Sequence, residues 1–578
     1  MVRLRFEGHR SAAGPLTAGQ RNTAKWLLNV PHAPAAVLDH AFDVPPGTTL
    51  GDVAECFQVL LCRHEGLRST YLLGEPGEQR VLAVGSLPML VHSTDARDSA
   101  SSASASSSDS ADAAGAVDAG RLVALCRAEP FDVAAEPPVR FAVAVRDGLV
   151  VAAVVVCSHI AVDFQALAVL DAEFAEMIRD PAARVPGEPR PQPLDRAALE
   201  DRPARRRRMD AALRHWERAR PAAPAHPYAK PRTGPGKGSG AYGMSSPAAA
   251  AALEHVAART GASRPAIVLA AFSALLSRRT GDATCTFVTL SANRFESELL
   301  RYVGTQAQAT FLTVEVGSSG FDALVGRCFG AVLQAGLHGT YDVYRQHEQS
   351  VRIKTDRGIA PSFEPLFNSI VMDTPGHGPL TDVATAAPTE TQWVDMPPTD
   401  ILLRFDLGRV DGSLIARLWS GDTGRVGPAE AKSLLLALER LIVTAAAADL
   451  DHAGIVAALA LPPIERPPGW LHVDHCWVDL AEVQRLLDDA LAPAVCRVFA
   501  SVDGTPLVAY IAGGPDTPQE AHARCLIALP GRHAAMTPRH YVLCGQSPAE
   551  PDDPAAWRAG QVLSEGSGRP TNLALTPA

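Results

Sequence analysis

Apolar positions along the chain follow two different periods. The segment TLGDVAECFQVLLCRHEGLRSTY places its hydrophobic residues at helical spacing, and so does FQALAVLDAEFAEMI. VRFAVAV and GLVVAAVVVCSHI are instead short runs rich in Val and Ala, the second nearly uninterrupted. A run of that kind fits a strand covered on both faces. Further on, SSPAAAAALEHVAARTGASRPAIVLAAFSALLSRRTG predicts two helices, broken by a Gly turn and Pro265. CTFVTL, TFLTVEV, FNSIVMD, ILLRFDL and GSLIARLWS read as strands, and GPAEAKSLLLALERLIVTAAA as a closing helix. DLAEVQRLLDDA predicts another helix, and AVCRVFASVDGTPLVAYIAG a hairpin turned at Asp503-Gly504.

Two stretches lack this patterning. DSASSASASSSDSADAAG, near 98–115, cannot bury apolar surface and reads as a mobile surface loop. The stretch from about 180 to 240 is rich in Pro, Arg and Gly around one basic amphipathic helix, RRRRMDAALRHWERAR, which carries Trp216. The expected organisation is a lobe over 1–180, a linker with a helix over 181–238, and a second lobe over 239–450. A small unit over 465–550 and a loose tail over 551–578 follow. Two lobes of like size and element order predict a pseudo-dimer of α/β sandwiches with a cleft between them.

Composition narrows the function classes. The 578 residues carry a net charge of -10, without the basic surplus of a nucleic-acid binder. The ten cysteines are scattered, with no Cys-x-x-Cys pair, so neither a zinc ribbon nor a thioredoxin-type centre is expected. They read as buried thiols of a reducing cytosol. The opening MVRLRFEGHR has no apolar signal core, and no apolar run reaches the ~18 residues that span a bilayer. The expectation is a cytoplasmic protein with no membrane and no nucleic-acid partner.

The strongest candidate for chemistry is the turn after the buried strand, Cys157-Ser158-His159-Ile160-Ala161-Val162-Asp163-Phe164. Strand ends that open into helices are frequent functional positions in α/β proteins. An imidazole titrates near neutral pH and passes protons. His-x-x-x-Asp is by itself a weak pattern, and its plain structural reading is a packed His with Asp163 capping the next helix.

The order of several segments adds context. The chain resembles the condensation domains of nonribosomal peptide synthetases over about 10–450. GPLTAGQRNT is similar to that family's opening Leu-Thr-x-x-Gln-Arg segment. RHEGLRSTY, with His64, Glu65, Leu67 and Arg68, is similar to its Arg-His-Glu-x-Leu-Arg-Thr block. EPFDVAAEPPVRFAVA, HWERAR, IVLAAFSALLSRRTGDATCTFVTLSANR, YVGTQAQATFLTV and EPLFNSIVMD resemble later family segments in the same order. The resemblance implies two chloramphenicol-acetyltransferase-like lobes forming a V-shaped pseudo-dimer, with a small α+β domain at the C-terminus. It implies that His159 is catalytic and that Asp163 is structural, paired with an Arg. Arg294 in SANRF is the first choice for that partner and Arg68 the second.

The family's His-His-x-x-x-Asp-Gly is altered in two places: Ser158 stands at the first His and Phe164 at the Gly. Ser158 cannot act as an acid or base at neutral pH. Phe164 puts a ring where the family keeps no side chain, which would narrow a channel for a phosphopantetheine arm. Gln306, Gln308 and Ala309 also depart from the family's Phe, Asn and Thr.

The implied activity is amide or ester formation between an acyl thioester on a carrier protein and an acceptor, either a small amine or hydroxyl or a second carrier-bound group. No metal or redox cofactor is expected. No Gly-Gly-x-Ser segment appears, so the carrier and its phosphopantetheine arm are expected in trans. Arg205 to Arg208 form a basic patch that would suit an acidic carrier, or simply a solvated helix face. Residues 465–550 resemble the small C-terminal subdomain of adenylation enzymes. That family's catalytic Lys is missing from SPAEPDDPAAWRAG, which marks a remnant. Two other readings stand beside the enzyme: an inactive scaffold of the same fold, and a CoA-dependent acyltransferase, for which RFDLGR gives a faint echo of the plant-type signature.

Overall fold

The computed structural model describes residues 2–30, 36–94, 110–185, 191–234, 238–360, 364–370, 382–397, 399, 401–409, 412–502 and 504–570. The chain divides into two compact units. The first comprises 1–212 with 291–308 and 339–343, and the second comprises 213–290, 309–338 and 344–578.

The first unit is built on a five-stranded sheet in the order Val2–Glu7, Val84–Ser93, Val139–Arg146, Leu149–Ser158 and Val37–Phe42. Only the Val84–Ser93/Val139–Arg146 pair is parallel. The run that reads as a doubly covered strand is the one next to the edge, Leu149–Ser158. Val150, Ala153, Val155 and Cys157 belong to a core with the helices Leu50–Arg63 and Phe164–Arg179, where Phe57 stacks on Phe141 with ring centroids 4.4 Å apart. Its alternate residues Ala152, Val154 and Val156 pack with Leu122 and Cys126 of the helix Ser110–Arg127. Period-two alternation thus feeds two separate apolar layers.

That last helix corrects one expectation. The Ser/Ala-rich stretch lies outside the described residues as far as 109, but 110–115 form the first turns of Ser110–Arg127 instead of a loop. Alanine favours the helix, and burial of Leu122 and Cys126 further along anchors it.

The second unit holds a seven-stranded sheet, ordered Gln308–Glu315, Thr284–Ser291, Leu366–Ser369, Leu403–Arg409, Leu414–Ser420, Ser239–Ser246 and Glu390–Met396. The helices Pro247–Thr260, Arg264–Thr280, Phe321–Leu337 and Pro428–Ala447 bury its core. Gly261 ends the first of these in the left-handed region (φ 68°), a conformation that costs glycine little. The linker helix is present as Pro203–Ala219, and Trp216 is buried against Phe311 at 5.7 Å between centroids.

Residues expected to stand apart as 465–550 fold within this second unit. The strands Val495–Val502, Thr505–Ala512, His540–Cys544 and Val562–Gly566 form a four-stranded sheet, covered by the helices Leu480–Leu491 and Pro518–Ala528. Their core also takes in Ala225 and Ile359. Arg357 Nε donates to Asp474 at 2.8 Å, and Arg425 pairs with the buried Glu482.

The expectation of a loose tail from 551 is overturned as far as 570. Pro554–Ala559 is helical, and Val562–Gly566 pairs antiparallel with His540–Cys544. Trp557 supplies the reason: it is buried against Tyr510 and Val542, and its indole N–H donates to the Pro551 carbonyl at 2.8 Å. No single described helix is long and apolar enough to cross a membrane.

Candidate active site

The candidate residues of the turn lie in the first unit. The strand Leu149–Ser158 ends at Ser158, which is buried and pairs with Val37. The main-chain N–H of His159 donates to the Ala36 carbonyl at 2.9 Å, so the edge strand fixes where the imidazole leaves the sheet. The Ala161 N–H then closes a tight turn on the Ser158 carbonyl at 3.0 Å. Asp163 follows in extended backbone as the N-cap of Phe164–Arg179, accepting from the Ala166 N–H at 2.8 Å. The plain structural reading of Asp163 is therefore correct as far as it goes, but capping uses only part of the carboxylate.

Arg294 Nη2 also donates to Asp163 Oδ1, at 2.7 Å, and the Gln306 N–H donates to Oδ2 at 2.9 Å. Three donors thus converge on one buried carboxylate, one of them a guanidinium. Arg294 is itself held by the carbonyls of Leu299 and Gly304, both at 2.9 Å, and of Tyr302. Asn293, left-handed at φ 55°, ties the loop down by donating to the carbonyls of Gln306 and Gly339. Asp163 makes no hydrogen bond to His159 among the described residues, and its three bonds go to Ala166, Arg294 and Gln306. It holds the turn.

Arg68 is not the partner of Asp163. It is 1% exposed, lies 3.7 Å from Glu65, and donates to the Leu82 carbonyl. Glu65 in turn accepts a two-pronged bond from Arg10, each contact 2.8 Å. Arg68 and Glu65 thus serve the core, with His64, which meets Glu173 at 3.1 Å.

The His159 ring is mostly buried. Its Nδ1 is sealed from solvent and has no hydrogen-bond partner among the described residues. Burial pushes the imidazole below its ordinary pKa, against a weaker opposing pull from main-chain groups at His159 and Val162 and from the charge on Asp163. Trp26, on the helix Ala18–Asn29, stands edge-on to the ring at 6.0 Å. Sequence reading missed Trp26, because an aromatic on an amphipathic helix looks like ordinary core. Gln306 was singled out only as a departure from the family pattern; the contribution of its main-chain N–H to Asp163 was not foreseen. Gln308 is buried and its side-chain amide donates to the Tyr341 carbonyl at 3.0 Å.

Phe164 is the first residue of the helix and is 53% exposed, so its ring does not fill the interior of this unit. The basic patch is partly spent on the chain's own carboxylates. Arg205 pairs with Glu296, Arg208 approaches it to 3.7 Å, and Arg206 meets Asp201 at 2.7 Å.

No protein-family model matches the chain, and no curated protein does. Solved structures do match. SgcC5 from Streptomyces globisporus superposes with a TM-score of 0.55 at 18% identity, over 75% of this chain and 99% of its own. The first condensation domain of the calcium-dependent antibiotic synthetase gives 0.54 at 18% identity, over 76% and 97%. The X-domain from teicoplanin biosynthesis gives 0.54 at 18% identity, over 77% and 98%. The chain therefore has an α/β fold of the condensation-domain type. About a quarter of it lies outside each match.

Proposed function

We propose that the protein is a trans-acting condensation enzyme of natural-product biosynthesis, joining a carrier-bound acyl thioester to an acceptor amine or hydroxyl, with His159 as its catalytic residue. The observation that carries this reading is the His159 turn: an imidazole at a strand end, beside a carboxylate already consumed by Arg294, Gln306 and Ala166. With Nδ1 sealed, proton exchange falls to Nε2. A ring held below its ordinary pKa is neutral at pH 7, the form that accepts a proton.

In the proposed reaction the acceptor nitrogen attacks the thioester carbonyl and the C–N bond forms. His159 Nε2 takes or shares the amine proton as the tetrahedral centre develops. The C–S bond then breaks, and the departing thiolate of the phosphopantetheine arm receives the proton. Much of the rate gain would come from holding donor and acceptor together, since positioning alone is worth up to about 7–11 kcal/mol. Localisation in the cytoplasm, where carrier proteins are loaded, fits this reading. The segment 465–550 is read as an adenylation C-terminal-subdomain remnant retained for structure or docking, because no Lys follows where that family needs one.

Ser158 and Phe164 favour one competing reading, an inactive scaffold that recruits a carrier or partner enzyme. The test offers acyl-loaded carrier proteins and, separately, acyl-CoA, each with a panel of amines, to the wild type and to His159→Ala. Intact-mass detection of acyl transfer from the carrier, lost in His159→Ala, supports the condensation reading. Transfer from acyl-CoA alone makes the protein a CoA-dependent acyltransferase. No transfer from either donor, with the pathway equally supported by both proteins, makes it a scaffold.

A further inference from the structure

Three side chains of the second unit converge: His226, Glu364 and His533. All three are buried, and one ligand atom from each lies within 4.8 Å of the others. His226 Nδ1 is 3.3 Å from Glu364 Oε1 and 3.4 Å from His533 Nδ1. The two imidazoles meet edge to face with centroids 4.7 Å apart.

Hydrogen bonding does not satisfy this group. His226 Nδ1 carries at most one proton, yet it faces both a carboxylate oxygen and the Nδ1 of a second histidine. Glu364 Oε1 receives the Leu402 N–H at 2.9 Å. Glu364 Oε2 is buried and has no partner among the described residues, although the side chain is only 1% exposed. A buried carboxylate oxygen with nothing to accept is costly. A cation held between the two ring nitrogens and this carboxylate would compensate the buried charge and relieve the crowding at His226 Nδ1.

The spacing suits one kind of cation. Zinc–nitrogen and zinc–oxygen bonds of about 2.0–2.2 Å at a tetrahedral angle put ligand atoms about 3.3–3.6 Å apart. Both contacts of His226 Nδ1 fall at that edge length without any rearrangement. Two imidazoles and a carboxylate form a borderline donor set that suits divalent zinc and its transition-metal neighbours better than calcium or magnesium. The charges nearby are mixed: Arg425 and Asp422 both act on His533, and Arg425 is already engaged by Glu482 and the Lys230 carbonyl.

We propose that His226 Nδ1, His533 Nδ1 and the Glu364 carboxylate bind one divalent transition cation, Zn2+ by preference, which clasps the C-terminal segment to the seven-stranded lobe. His226 lies in the linker before Ser239–Ser246, Glu364 just before Leu366–Ser369, and His533 between Pro518–Ala528 and His540–Cys544. The ion joins three stretches of chain that are 138 and 307 residues apart from His226. The expectation of no metal followed from the implied condensation chemistry and from the lack of a Cys-x-x-Cys pair, and ligands separated by this much leave no motif to read. Zinc held by three protein ligands commonly takes water as its fourth ligand.

The test uses the full chain, stripped with EDTA and titrated with ZnCl2. Metal analysis after gel filtration should give one zinc per chain, and calorimetry should give a matching stoichiometry. His533→Ala and Glu364→Gln should each weaken binding by about 100-fold or more. The rise in Tm that Zn2+ gives the wild type should vanish in both. Glu364→Gln keeps the side-chain size and the bond from Leu402, so it separates loss of a ligand from loss of the fold, which circular dichroism checks. Cobalt substitution should give the intense visible bands of a four-coordinate site in the wild type only. Failure of the stripped wild type to take up a stoichiometric ion, or equal uptake by the wild type and Glu364→Gln, overturns the proposal.

Discussion

Arg294 Nη2 sits 2.7 Å from Asp163 Oδ1 with both side chains almost wholly enclosed, at 3% and 5% exposure. The pair joins the start of the helix Phe164–Arg179 to a loop more than a hundred residues later in the chain. Removing one partner leaves the other charge buried without compensation, a loss of about 3–5 kcal/mol. Arg294→Ala is therefore expected to lower the unfolding free energy by that amount, read as a lower midpoint in urea denaturation. An unchanged midpoint would mean the pair does not hold the turn.

The His159 ring, held below its ordinary pKa by burial, sets the sign of a pH effect. The unfolded chain binds a proton near pH 6.5, whereas the folded ring resists one. Its contribution to stability is thus full above pH 6.5 and is lost as pH falls from there through the folded pKa. The acid limb of kcat/KM for acyl transfer should likewise lie below about pH 6.5. A limb above pH 7 would contradict a buried neutral base.

Restoring the doublet of histidines is expected to harm the protein. Ser158 is 4% exposed at the end of a strand buried on both faces. Ser158→His forces an imidazole into that space, with a loss of about 1–3 kcal/mol, measured by chemical denaturation. Acyl transfer should not rise above wild type.

Phe164→Ala should be nearly silent in stability, within about 0.5–1 kcal/mol, because the ring is half in solvent. Trp557→Ala should not be. This buried indole anchors the last described helix and strand, and its loss is expected to cost about 3–5 kcal/mol by thermal or urea unfolding. A silent Trp557→Ala would return 551–570 to the status of a loose tail.

These residues also mark how far the sequence could be read. Leu149–Ser158 and Phe164–Arg179 were legible because each has a strong period and a clear cap. Asp163 as a cap follows from its place before an apolar helix. Its bond to Arg294 came only through resemblance, since nothing local links positions 131 residues apart. The Gln306 N–H was invisible, because a main-chain donor carries no side-chain signature. Errors at 110–115 and 554–566 share a cause. Both stretches are locally polar or alanine-rich, and burial of Leu122, Cys126 and Trp557 by distant elements decided their structure.

The most direct test compares single-turnover acyl transfer from a loaded carrier protein by the wild type and by His159→Ala, with both shown to be equally folded. Loss of one positioned proton-transfer group predicts a rate lower by about 10²- to 10⁴-fold in the variant. Equal rates in the two proteins would contradict a catalytic His159.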